Sequence, residues 1–246
     1  MTHQTLLGLA LVGLSGCFLP VSTATPQGTR TAGKGKLAVN GAAEYPVLDH
    51  LAVAAQPPSP SQPERDRHPV SSAPHVSLMA KYGLTDNLDL EGSVQGEWQV
   101  IIPIPHTLTV GARYVPFRGC NWDLGISGHI GGSLGGGEAA PYDDVVVSAL
   151  HATLGLHATM VRWRDFQPVF GAAVQPIRLQ ATAMGGEGAE PLHGLATAAT
   201  VGFTLWDTVT PFGTAGWYTG DRIGGVPFFT FGLAFHKSAE MPKLPF

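Results

Sequence analysis

Residues 82–100 read YGLTDNLDLEGSVQGEWQV, and their pattern decides the fold. From Leu88 onward every second residue (Leu88, Leu90, Gly92, Val94, Gly96, Trp98, Val100) is apolar or glycine. Every residue between them (Asp89, Glu91, Ser93, Gln95, Glu97, Gln99) is polar. Side chains alternate across a strand, so this stretch has one apolar and one polar face. It also outruns an ordinary strand of about five or six residues. Ahead of it, Thr85-Asp86-Asn87 is a turn-forming triplet that reverses the chain after 80–84. The stretch predicts one hairpin of a membrane-spanning β-barrel.

Composition agrees. Of 246 residues only 13% are charged, about half the usual share of a soluble domain. Glycine (32) and proline (20) are both abundant, yet mean hydropathy is only +0.12. A helical membrane protein needs apolar runs of about 18 residues or more, and none occurs after position 20. Few charges without long apolar runs suit a barrel whose lipid-facing and lumen-facing residues average out. A Gly-rich secreted β-sandwich is the competing architecture. Net charge is −4 with no basic cluster, which argues against nucleic acid as a partner. The two cysteines sit in unlike settings and do not form a disulfide framework.

Residues 1–16, MTHQTLLGLALVGLSG, form a short apolar core ending in small residues, too short to span a bilayer, and read as a secretory signal. The ending Leu14-Ser15-Gly16-Cys17 resembles the lipobox of bacterial lipoproteins. The resemblance implies acylation of the Cys17 thiol, cleavage before it, and a lipidated N-terminus. Residue 18 is Phe rather than Asp, so the same resemblance implies sorting to the outer membrane. Residues 17–34 then read as a flexible tether rich in Pro, Gly and Thr.

Residues 35–236 read as the barrel. A weak alternation at 36–44 is the first strand, and a Pro-rich segment, about 45–74, is a loop. Further strands are expected at 76–84, 88–100, 108–114, 122–133, 145–162, 166–180, 192–205, 209–218 and 226–236, with a tail at 237–246. The links at 85–87, 118–121, 163–165 and 206–208 are short. Those at 45–74, 101–106, 135–144, 181–191 and 219–225 look longer, Gly- or Pro-rich, or charged. Outer-membrane barrels pair short periplasmic turns with longer outer loops and have an even strand number. The fold class is therefore all-β, an antiparallel up-and-down transmembrane barrel of about ten strands, with eight or twelve as alternatives. Tyr82, Trp98, Tyr114, Trp122, Trp163, Trp206, Trp217 and Tyr218 lie mostly near strand ends, where aromatic girdles meet headgroups. Residues 82–90, YGLTDNLDL, also resemble the "YGLTDxLDLG" hairpin of small bacterial outer-membrane barrel proteins.

A ten-stranded barrel is narrower than a general porin. Its lumen should be filled by side chains, with Glu91, Glu97, Arg113, Ser127, His129, His151 and His157 as the polar candidates. Ser127 and His129 beside Asp123 contain the residue types of nucleophilic hydrolysis, yet polar lumen filling explains them as well. Three lumen histidines could bind a metal, but their register is open at this level, and no metal site or cofactor is assigned. Glycines 131–132, 135–137 and 185–186 are not phosphate loops, because no Lys-Ser/Thr or helix follows. The expectation is an outer-membrane barrel lipoprotein, anchored on the periplasmic side, with a structural or surface-interaction role and no catalysis. Its partners would be outer-membrane lipids and a surface or periplasmic protein. A barrel hydrolase acting on lipid or peptide and a soluble periplasmic lipoprotein are the alternatives.

Overall fold

The computed structural model describes residues 28–46, 75–99, 102–139, 142–163, 165–183, 191–221 and 223–239. They form the strands β1 (Leu37–Pro46), β2 (His75–Gly83), β3 (Leu88–Gln99), β4 (Ile102–Arg118) and β5 (Trp122–Ala139), then β6 (Tyr142–Met160), β7 (Phe166–Ala183), β8 (Leu192–Leu205), β9 (Val209–Gly220) and β10 (Ile223–Ala239). Each strand pairs antiparallel with its neighbours in sequence, and β1 pairs with β10 from Leu37↔Ala239 to Pro46↔Thr230, closing the barrel. Ten is the strand number expected from the alternation, and closure leaves no edge to satisfy.

The barrel is inside out compared with a soluble protein. Large apolar side chains point outward, among them Leu78, Leu90, Leu108, Ile130, Leu150, Leu154, Leu156, Val201, Phe231 and Leu233. Polar ones are buried in the lumen: Asn40, Lys81, Asp89, Glu91, Arg113, Ser127, His151, His157, Gln175 and Thr200. In water such an exterior would be a large exposed apolar patch; in a bilayer it is the lipid-facing band. The period-two alternation read at 88–96 lands with its acidic and amide members inside and Leu90 and Val94 outside. Aromatic residues collect near the short-turn end, where Trp122 stacks against Phe170 at 5.9 Å and Phe166 lies 5.4 Å from Phe203 and 6.3 Å from Trp163.

Tight reversals define that end. Trp206 and Asp207 take φ of 47° and 58°, the paired positive angles of a two-residue hairpin turn matched to strand twist. At the turn before β3, Leu84 N–H donates to Leu88 O at 2.8 Å and Asn87 N–H to Thr85 Oγ1 at 3.2 Å. At the other end the strands run further than expected. Residues 101–106 were expected as a turn, but Ile102 onward belongs to β4. Proline has no N–H for a ladder, and β4–β5 pairing ends at Thr107↔Ser133, so no donor is required on the β5 side. Pro105 and Pro103 pair with β3 opposite Gly96 and Trp98, beyond an irregularity in the register at Gln95/Gly96. The glycines expected as a loop at 135–144 are also strand. Gly135, Gly136 and Gly137 pair with Val147, Val146 and Val145, whose branched side chains favour extended backbone. Only 100–101, 140–141 and 221–222 are left between those strands, so the alternation in link length gives way to long hairpins at that end. The tail expected at 237–246 begins inside β10.

Residues 28–36 also differ from expectation. Residues 28–34 were read as the end of a flexible tether, yet together with 35–36 they cross the short-turn mouth as a strap. Gly83 makes room for it: a Cβ there would overlap the carbonyl of Gly33. Gly35 N–H donates to Gly83 O at 2.8 Å and Gly83 N–H to Lys36 O at 3.0 Å. The Pro-rich segment after Pro46 and residues 1–27 lie outside the described residues.

Candidate functional site

Glu91 is the centre of the lumen. It sits four residues past Asn87, the last residue of the short turn, on the inward parity of β3, beside Lys81 of β2 and Gly111 of β4. Its Oε1 accepts from Arg113 Nε at 2.7 Å and lies 3.3 Å from Lys81 Nζ, and its Oε2 lies 2.7 Å from His129 Nε2. The side chains of Glu91 and Arg113 are fully buried and that of Lys81 nearly so. One carboxylate thus holds a guanidinium, a lysine amine and a histidine in a low-dielectric interior. Burying charge is tolerated only when it is paired and hydrogen-bonded.

The strap completes this cluster with backbone groups. Arg113 Nη1 donates to the carbonyl of Gly28, and Lys81 Nζ to that of Arg30 at 3.1 Å. Ala32 N–H donates to Asp89 Oδ2 at 2.8 Å, and Thr29 N–H to Thr159 Oγ1 at 2.9 Å. Gly28 has φ of +55° and packs so closely on Thr159 and Val169 that a Cβ would clash, so only glycine fits. The strap is also tied to the short turns. Thr31 Oγ1 donates to Asp86 O at 2.8 Å, Lys34 N–H to Asp86 Oδ1 at 3.1 Å, and Arg118 Nη2 to Thr31 Oγ1 at 2.7 Å. Arg30 pairs with Asp207 in the β8–β9 turn.

Above the charged layer lies a neutral one. Ser127 Oγ and His157 Nε2 are 2.8 Å apart, both buried. His151 and Gln175 are buried with no hydrogen-bond partner for either ring nitrogen or either amide atom. A cavity of about 30 Å³ lies among Ser127, His129, His151 and His157, room for a water molecule in a site with polar partners. Toward β1 and β10, Asn40 Oδ1 meets His236 Nδ1 at 3.1 Å, and His236 Nε2 meets Thr210 Oγ1 at 2.9 Å.

The expected lumen residues therefore divide into separate groups. Glu91, Arg113 and His129 come together, Ser127 joins His157 rather than His129, and His151 stands apart from both pairs. Nearby carboxylates do not extend the Ser–His pair into a triad: Arg118 holds Asp123 at 3.5 Å, and Glu91 is taken by its own partners. No group of three or more His, Cys, Asp or Glu among the described residues is arranged to hold a metal ion. Glu97 occupies β3 opposite His75 and Ile104, with its side chain outside the described residues, as is all of Cys17. Cys120 is an exposed free thiol in the β4–β5 turn.

Lys81, Asn40 and His236 escaped the sequence reading. Each sits at inward parity on a strand whose apolar face had been recognised. For Lys81 and Asn40 a polar residue between two apolar or glycine neighbours was the available signal, whereas His236 is followed by Lys237 at the end of the expected strand. For the strap no periodic signal exists.

No protein-family model matches the chain, and no curated protein sequence does either. Solved structures of similar architecture include Ail, the attachment invasion locus protein of Yersinia pestis, at 8% identity over 83% of this chain and 99% of that one, with a TM-score of 0.31. The beta domain of the Bordetella autotransporter BrkA matches at 11% identity, covering 82% and 99%, with a TM-score of 0.36. The outer membrane protein OprG from Pseudomonas aeruginosa matches at 12% identity, covering 85% and 100%, with a TM-score of 0.30. The barrel assignment rests on this chain's own strand pairing and on its apolar exterior.

Proposed function

We propose that this chain is a bacterial outer-membrane barrel lipoprotein that acts as a closed, non-catalytic scaffold. It is anchored through Cys17 on the side of the short turns and presents the extended hairpins of the opposite end to a surface partner. The observation that carries the reading is the double closure of the lumen. The Glu91–Arg113–Lys81 cluster is buried within it, and the strap lies over the short-turn mouth. A path for solute would require breaking buried ion pairs, which costs several kcal/mol.

Conductance across a planar bilayer is the test. Purified protein should give no stable single-channel steps at moderate voltage, whereas steady openings of uniform size would overturn the scaffold reading. The anchor has its own check. Radiolabelled palmitate should enter the wild-type chain and be absent from Cys17→Ala, and equal labelling of the two would remove the anchor while leaving the closed barrel standing.

A further inference from the structure

A second and larger cavity, about 910 Å³, lies at the short-turn mouth between the strap and the wall formed by β10, β1 and β2. Small-molecule sites commonly occupy about 300–1,000 Å³, so this vestibule is of a size to receive a ligand. Its lining has a distinct charge. Arg30, Lys36, Lys81 and Lys237 line it with one carboxylate, Asp207, in a chain whose net charge is −4. Lys81 is 2% exposed and its charge is met by Glu91 at 3.3 Å, so the excess positive charge of the lining comes from the other cations. The Arg30–Asp207 pair is substantially exposed, with side chains 33% and 55% accessible. Such water-screened pairs contribute about 0–1 kcal/mol, so an incoming anion can compete for the guanidinium. Asn40 and His236 add neutral polar groups deeper in the wall.

We propose that this vestibule binds a small organic anion bearing a carboxylate or phosphate group, admitted from the short-turn side. A free solute and the headgroup of an anionic lipid share that chemistry. The site is independent of the scaffold reading, because a closed barrel and a conducting one would both retain it.

Isothermal titration of the full-length protein in zwitterionic detergent tests it. The soluble probes are inorganic phosphate, citrate and glycerol 3-phosphate, with glycerol as the neutral control. Parallel titrations use micelles doped with phosphatidylglycerol or phosphatidylcholine. At least one anionic probe should bind saturably while its neutral counterpart does not. Lys36→Gln should weaken that binding by about tenfold or more, the value of one charge-assisted hydrogen bond. Asp207→Asn removes the competing carboxylate yet keeps a residue that accepts positive φ, so binding should hold or tighten. Binding of soluble anions assigns a free solute, and binding of phosphatidylglycerol alone assigns a headgroup. The site is overturned if no anion binds saturably, if glycerol binds equally, if Lys36→Gln has no effect, or if Asp207→Asn weakens binding. Heat-modifiable gel migration of each variant establishes that its barrel is folded.

Discussion

Glu91→Ala should destabilise the folded barrel by about 3–5 kcal/mol, the usual cost of removing one partner from a buried ion pair. The reason lies in what remains. Arg113 is fully buried and Lys81 is 2% exposed, and the substitution leaves both without the carboxylate that compensates them. Asp89 offsets only part of this, because one of its oxygens is held by Ala32 N–H in the strap, while its Oδ1 has no hydrogen-bond partner. Equilibrium urea unfolding in lipid vesicles, followed by tryptophan fluorescence, measures the loss. A change below about 1 kcal/mol would mean that the lumen is wet enough to solvate the stranded cations, and the closed interior would have to be abandoned.

The second large effect is expected on the opposite face of the wall. Leu154 is 58% exposed and points outward between Leu150 and Leu156 on β6, paired with Gly128 and Val174. It lies well away from the aromatic residues at the short-turn end, in the middle of the apolar band. Leu154→Arg should therefore cost about 2–4 kcal/mol, as an arginine does at the bilayer midplane, while arginine near an interface costs about 0–1. Trp122→Arg, at the girdle, is the internal comparison. The same unfolding assay in vesicles reads both. If Leu154→Arg proves neutral, the exterior does not face hydrocarbon and the membrane reading fails.

These two positions also show what a single sequence can and cannot reveal. Leu154 and Glu91 were assigned to opposite faces by alternation alone, because side-chain direction in a strand depends only on parity. Partnership depends on register, which alternation does not set. Ser127 and His129 share a face two residues apart and were read as a pair. The lateral offset between β5 and β6 instead brings His157 across Gly155 to Ser127 and leaves His129 to Glu91. The Gly- and Pro-rich segments misled for a different reason. Glycine and proline weaken a strand in general, but Gly135–Gly137 pair with three valines, and Pro103 and Pro105 pair with β3 alone, past the end of the β4–β5 ladder. The strap was least legible. Its hold on the barrel comes from backbone carbonyls and N–H groups that every sequence possesses.

That strap has a consequence for the order of assembly. Its docking points are Asp86, Arg113, Thr159 and Asp207, which lie up to 177 residues away along the chain. The set is complete only when strands from β2 to β9 have been laid side by side, and contacts that distant are the slowest to form. The segment that precedes every strand in the chain must therefore be the last to settle. Its seating registers that the wall behind it is complete, so protease resistance within 28–36 would serve as a clock for the final step of folding.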